Sequence, residues 1–143
     1  MDPKTQKTYE ALKEIRKKES IQLPISEKVR KKIKTYRGEE DLSLRNYQTI
    51  GILHLILMAR FVLGDDCGLG KTIQTVVALC KIWDKDPDHK AIIVTNKSLV
   101  GQWETEFQKF TEDGEVQVFV CYGTPAKRQK VYKRFEEATG PCV

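Results

Sequence analysis

Apolar residues recur along this chain with two different spacings, and each spacing predicts one kind of element. Spacings of three and four residues predict amphipathic helices, and short apolar runs bounded by polar residues predict buried strands. The predicted helices cover residues 3–20, 26–38, 44–59, 72–83, 98–110 and 125–137. The predicted strands cover residues 61–63, 91–95 and 116–121. We therefore expect an α/β fold in which helices flank a parallel sheet.

Local signals divide the chain into two parts. Asp2 and Pro3 indicate a helix start, because an aspartate can cap free backbone amides and a proline fits the first turn. Pro24 separates the first two predicted helices, and an acidic run over residues 39–41 is interpreted as a linker. We expect a basic helical N-terminal extension over residues 1–41 and an α/β domain over residues 42–143.

The positive charge of the chain belongs to the predicted extension. The formal net charge is +5 over 143 residues, and residues 1–38 hold twelve Lys or Arg against five Asp or Glu. A basic segment of this kind favours contact with polyanions, so Lys31 and Lys32 are candidates for phosphate contacts with nucleic acid. A solvated helix face is the other interpretation of these residues, and both stay open.

Several classes of protein and site do not fit the sequence. The four cysteines form neither a Cys-x-x-Cys pair nor a zinc-like spacing with histidine, which is typical of reduced intracellular thiols. The first residues lack the apolar segment of a secretory signal, and the apolar run 50–63 is too short to span a membrane. Residues 84–89 begin like a calcium loop but lack its glycine. We expect an intracellular protein with no membrane partner.

The clearest chemical signal is the run Gly68, Leu69, Gly70, Lys71 and Thr72. It lies between a predicted strand and a predicted helix, which is where a phosphate-binding loop, or P-loop, is expected. Glycines let backbone amides approach phosphate oxygens, and the helix start adds positive potential. The lysine can reach the β- and γ-phosphates, and the threonine hydroxyl can ligate Mg²⁺. The run predicts a site for ATP and Mg²⁺, with an ordinary strand-to-helix turn as the alternative.

Three ordered motifs resemble those of one enzyme family. Residues 65–72 resemble the DEMGLGKT loop of SWI/SNF-type ATPases in helicase superfamily two, which also lacks the usual first P-loop glycine and here has Asp65 in its place. Residues 44–51 resemble the LRPYQxxG segment of that family. Residues 92–107 resemble its motif Ia, with Asn96 where proline is usual. The resemblance covers residues 42 to about 135.

The resemblance implies a fold and roles for further residues. It makes residues 42–143 the N-terminal portion of a RecA-like ATP-binding lobe that stops before the DExH box. It makes Gln48 the adenine contact, since an amide both donates and accepts, with Arg45 and Asp66 beside the nucleotide. It places motif Ia against DNA, so that Lys97 and Ser98 become candidates for phosphate contacts. A charged turn with a helix N-cap is the other interpretation of that last pair.

Hydrolysis in this family needs two parts for which the sequence holds no counterpart. These are an acidic residue after a later strand and arginines from a second RecA-like lobe. We therefore expect a portion of an ATP-driven translocase on duplex DNA that binds nucleotide without turnover. Two other functions stay open. One is a regulator that binds DNA or a protein partner through its basic N-terminus and keeps a relic P-loop, and the other is a different P-loop enzyme such as a nucleotide kinase.

Overall fold

The computed structural model describes residues 2–17, 22–37, 43–58 and 60–143, and it describes only the backbone of residues 32 and 34–37. Each of the six predicted helices is present, with bounds that differ from the prediction by a few residues. They are α1 (Pro3–Arg16), α2 (Glu27–Arg37), α3 (Asn46–Leu57), α4 (Lys71–Trp83), α5 (Val100–Phe110) and α6 (Pro125–Glu137). A short 3-10 turn, Lys97–Leu99, leads into α5. The predicted linker 39–41 lies outside the described residues.

Two helices begin at capped, proline-containing turns. The carboxylate of Asp2 accepts hydrogen bonds from the amides of Lys4 and Thr5, both at 3.0 Å, and Pro3 occupies the first position of α1. The Thr5 hydroxyl also donates to this carboxylate, and these bonds lower the pKa of Asp2. At α6 the hydroxyl of Thr124 accepts from the amide of Lys127 at 3.4 Å. The predicted helix start at Asp2 is confirmed.

The core lies along α4, which packs against α3 and against α5. Ile52 of α3 and Val76 of α4 are fully buried, and Phe107 of α5 lies with its ring centroid 6.3 Å from that of Trp83. The indole of Trp83 also donates to the carbonyl of His89 at 2.7 Å, which fixes the chain that leaves α4. Helix α1 packs against α3, and α2 packs against α5. Among the described residues, no helix has the length and apolar content that crossing a bilayer requires.

The predicted parallel sheet is wrong. Residues 61–63, 91–95 and 116–121 are not strands, and the ranges that the structure describes contain only two isolated parallel bridges, from Cys142 to Lys90 and to Gln117. The reason is that a strand needs a partner backbone along its length. Ile92 is 75% exposed and Val94 is 92% exposed, so the apolar side chains of this segment are not all buried by a neighbour. Helices are therefore the regular elements of the described residues, and the expected RecA-like sheet architecture is not observed among them.

The two bridges gather the extended segments around residues 141–143. The amide of Ala91 donates to the carbonyl of Cys142 at 3.2 Å. The amide of Phe119 donates to the carbonyl of Val143 at 2.7 Å, and the amide of Val143 donates to Gln117 at 3.0 Å. Helix α6 covers this region through Phe135, whose ring lies 5.7 Å from that of Phe119. We call residues 90–95, 116–121 and 141–143 together with α6 the extended side, and α3 with α4 the helical side.

Candidate nucleotide-binding site

Helix α4 begins directly after a glycine-rich turn, residues 65–70, which we call the phosphate loop. Gly68 and Gly70 have φ angles of 85° and 79°, which a side chain would disfavour. The first helical bond runs from the amide of Gln74 to Gly70, and α4 has no side-chain cap. Within the described residues the amides of residues 71–73 therefore have no protein acceptor. Such an uncapped helix start is a site of positive potential that accepts an anion.

The side chain of Lys71 lies across the phosphate loop. Its ammonium donates to the carbonyl of Asp65 at 2.7 Å and to that of Asp66 at 3.0 Å. The amide of Leu69 also donates to Asp66, at 3.4 Å, so the loop is closed on itself. Both partners of the ammonium group are neutral carbonyls. A negatively charged acceptor binds an ammonium more strongly, so an anion can take the place of a carbonyl. Thr72, the neighbouring candidate, is half-buried in the first turn of α4.

Gln48 joins the start of α3 to the phosphate loop. It is only 4% exposed, its Oε1 accepts from the amide of Arg45 at 3.1 Å, and its Nε2 donates to the carbonyl of Leu69 at 3.2 Å. The hydroxyl of Tyr47 donates to the same carbonyl at 3.4 Å. A Cβ at Gly70 would lie 2.6 Å from Gln48 Nε2, so this close approach also requires glycine. The structure thus brings the predicted adenine residue and the predicted phosphate residues together.

These residues fit a phosphate-bearing ligand better than they fit its base or its metal ion. The uncapped helix start and the ammonium of Lys71 supply donors and positive charge at one place. The amide of Gln48 already has protein partners and must exchange them to bind a base. The Thr72 hydroxyl would supply only one oxygen ligand to Mg²⁺, and the described ranges hold no group of three His, Cys, Asp or Glu side chains placed around an ion. Phosphates and waters commonly complete such magnesium sites.

The other predicted site residues lie at the surface. Lys97 and Ser98 are exposed in the 3-10 turn before α5, and no hydrogen bond or ion pair of the described residues joins them to the phosphate loop. Ser98 is not a helix cap, because Leu99 is the residue that flanks α5. Lys31 is exposed on α2, and the side chain of Lys32 lies outside the described residues. Arg45 and Asp66 are exposed near the loop.

Sequence reasoning missed two residues behind the loop. Gln74 of α4 is fully buried, and its Nε2 donates to Asp65 Oδ2 at 2.8 Å. Gly51 of α3 lies against it, and a Cβ there would overlap Gln74 Oε1. One signal was available: Gln74 shares a helix face with Val77 and Ala78, both buried, so it is a polar residue at an apolar position. A buried amide on a core face indicates a specific partner.

Comparison with known families follows this geometry. A glycine-rich turn before an uncapped helix with a lysine across it defines an anion-binding loop. A family described as the SNF2-related domain matches residues 47–140 of this chain. The chain belongs to that family, and the resemblance to SWI/SNF-type proteins of helicase superfamily two is confirmed.

Individual relatives agree with this assignment. ATP-dependent helicase fft3 of Schizosaccharomyces pombe is 31% identical over 98 residues, which are 66% of this chain and 10% of that protein. Chromodomain-helicase-DNA-binding protein 6 of Homo sapiens is 28% identical over 135 residues, which are 92% of this chain and 5% of that protein. A SWI/SNF-related regulator of chromatin from Caenorhabditis elegans, a subfamily A homolog containing DEAD/H box 1, is 32% identical over 103 residues. The chain spans a tenth or less of these relatives' lengths.

Proposed function

We propose that this chain is the ATP-binding portion of an ATP-dependent motor that moves along duplex DNA. The observation that supports the proposal most directly is the phosphate loop, where the unpartnered amides at the start of α4 and the Lys71 ammonium meet. Membership of the SNF2-related family supplies the class of motor. The relatives are named as ATP-dependent helicases and chromatin regulators, and this supports both the use of ATP and a nuclear location.

Each residue around the loop has a proposed task. Lys71 keeps its bond to the carbonyl of Asp65 and exchanges the carbonyl of Asp66 for the β- and γ-phosphates of ATP, since an ammonium has three donors. The glycine backbone leaves room for the phosphates. Thr72 supplies one hydroxyl ligand to Mg²⁺, which when bound neutralises phosphate charge. Gln48 exchanges its bond to Leu69 for the adenine edge. Phosphate binding is thereby coupled to an opening of the closed loop.

The DNA contacts are proposed for residues outside the phosphate loop. Lys97 and Ser98 in the 3-10 turn lie free of the core and can reach a phosphate backbone, as the family's motif Ia implies. Lys31 and Lys32 on the basic helix α2 are proposed as additional phosphate contacts. Such contacts hold DNA without reading its sequence. They are expected to weaken with salt.

The experiment is a titration with a fluorescent ATP analogue and Mg²⁺, followed by phosphate release with and without duplex DNA. We expect saturable binding by the wild-type chain and loss of at least tenfold in affinity for Lys71→Ala. We expect no turnover by this chain, because neither a DExH box nor a second lobe is found in the sequence. Lys85→Ala, an exposed lysine beyond the far end of α4, is the matched control. A folded wild-type chain that does not bind would overturn the proposal and favour a DNA- or partner-binding regulator.

A further inference from the structure

Gln74 is a polar residue that lies fully buried at the back of the phosphate loop. Its side chain is 0% exposed, and its Oε1 has no hydrogen-bond partner within the described part of the chain. An unsatisfied buried amide oxygen lowers stability, whereas an apolar side chain of the same length would pack there without that loss. The same helix face carries Val77 and Ala78, which are apolar as expected. A buried polar residue on an apolar face indicates a specific task, and its bond to Asp65 shows where to look for it.

The contacts of Gln74 lead from α3 to the functional lysine. Gly51 on α3 leaves the space that the Gln74 amide occupies, since any Cβ there would overlap Oε1. The Nε2 of Gln74 donates to Asp65 Oδ2 at 2.8 Å, and the carbonyl of Asp65 accepts from Lys71 Nζ at 2.7 Å. Asp65 is therefore held by its side chain and in turn holds the ammonium by its main chain. This path explains both the missing first P-loop glycine and the glycine of the α3 segment.

We propose that Gln74 is a positioning residue that, through Asp65, fixes the main-chain carbonyl on which the Lys71 ammonium rests and so presets this lysine for phosphate. The inference rests on the proposed nucleotide function of the loop. Asp65 acts as an anchor of the loop and does not contact the phosphate itself. Gly51 acts by leaving room, and its replacement by alanine should displace the amide of Gln74.

The decisive variant is Gln74→Met, which keeps the length of the side chain and removes its amide. We expect the midpoint of urea unfolding to change little, because loss of the bond to Asp65 is offset by removal of an unsatisfied polar atom from the core. We expect affinity for the fluorescent ATP analogue to fall roughly five- to tenfold, which is the size of one lost hydrogen bond at the site. A purely structural role predicts the reverse, a fall in stability with unchanged affinity. Gln108→Met, at an exposed glutamine of α5, is the matched control.

Two further variants separate positioning from general damage. In the double variant Gln74→Glu with Asp65→Asn the donor and acceptor exchange places, so affinity should recover relative to Gln74→Glu alone, where two carboxylates face each other. In a Lys71→Ala background, Gln74→Met should have little additional effect on affinity, because its action passes through that lysine. Failure of the swap to restore binding, or full additivity with Lys71→Ala, would overturn the proposal.

The nucleotide-free chain supplies an independent readout. Amide hydrogen exchange over residues 65–70 should increase at least severalfold in Gln74→Met, while the amides of the last two turns of α4 stay protected. If the wild-type chain binds no nucleotide, the proposed function fails, and the exchange data still decide whether Gln74 holds the loop. If the wild-type chain binds and both loop exchange and affinity are unchanged in Gln74→Met, the inference fails and the proposed function stands.

Discussion

The helical side and the extended side of this protein use apolar residues in opposite ways. Val76 on α4 is fully buried, and beyond its first turn the helix that carries it satisfies its own backbone amides. Val94 on the extended side is 92% exposed, and its segment depends on other segments for hydrogen bonds. The comparison shows that an apolar pattern is sufficient to form a helix that then packs. For an extended segment the pattern is only one of two requirements, because a partner backbone must also be present.

The largest expected difference between the two sides is in stability. Val76→Ala removes two buried methyl groups and should lower the free energy of unfolding by about 2 kcal/mol. Val94→Ala removes the same atoms from a residue that is 92% exposed and should change it by less than about 0.5 kcal/mol. Urea unfolding monitored by tryptophan fluorescence measures both values. Equal losses for the two variants would show that Val94 is buried in solution, and the proposed difference between the two sides would then be wrong.

A second test compares local opening through two cysteines. Burial raises the pKa of Cys80 on α4 to about 12, and burial also raises the pKa of Cys142, which lies between the two bridges. Both thiols should react slowly at pH 8, because the thiolate is the reactive form. Cys142 should be alkylated roughly tenfold faster, a difference of about 1.4 kcal/mol in opening free energy, since two isolated bridges open more easily than a packed helix.

Timed alkylation followed by peptide mass spectrometry gives these rates. Cys67 is exposed in the phosphate loop and should be labelled first, which serves as the internal control for reagent activity. Equal rates at Cys80 and Cys142 would mean that both sides open together in one global event.

The smallest expected effect concerns the two capped helices, α1 beside the helical side and α6 on the extended side. The pKa of Asp2 is lowered below 3.8 by the bonds from Thr5, so the charged cap stabilises α1 above that pH and is lost as the pH falls through the lowered value. The amide signal of Thr5 in NMR spectra should therefore shift in this acidic window. The amide of Lys127, bonded to the non-titrating hydroxyl of Thr124, should not. A parallel shift of both signals would indicate general acid unfolding.

Much of the fold could be predicted from local sequence. The start of α6 at Pro125 and the end of α4 at Trp83 agree with the prediction, because caps, prolines and helical spacing are encoded within a few neighbouring residues. The sheet could not be predicted reliably in this way. The run 91–95 has the short apolar composition of a buried strand, yet pairing depends on which distant backbone lies beside it. The error therefore arose where tertiary contacts decide the outcome.

The candidate site also has features that local sequence predicts and features that depend on tertiary contacts. The glycine-rich phosphate loop can be predicted because its glycines, lysine and threonine are neighbours in sequence. The structure adds that Gly68 and Gly70 have positive φ angles. The role of Gln48 in adenine binding stays a prediction, and its present bond to Leu69 is a contact that spacing alone does not reveal. The contact between Gln74 and Gly51 depends on how α3 and α4 pack, so it became visible only in three dimensions.

The bond between Gln74 and Asp65 spans 9 residues, and the bond from the Gly140 amide to the Asp88 carboxylate spans 52. Closing the longer loop costs about 1.5 kcal/mol more in chain entropy. Contacts between nearby residues form faster during folding than contacts between distant ones. The phosphate loop should therefore form early in folding, before the segments around residues 141–143 make their long-range hydrogen bonds.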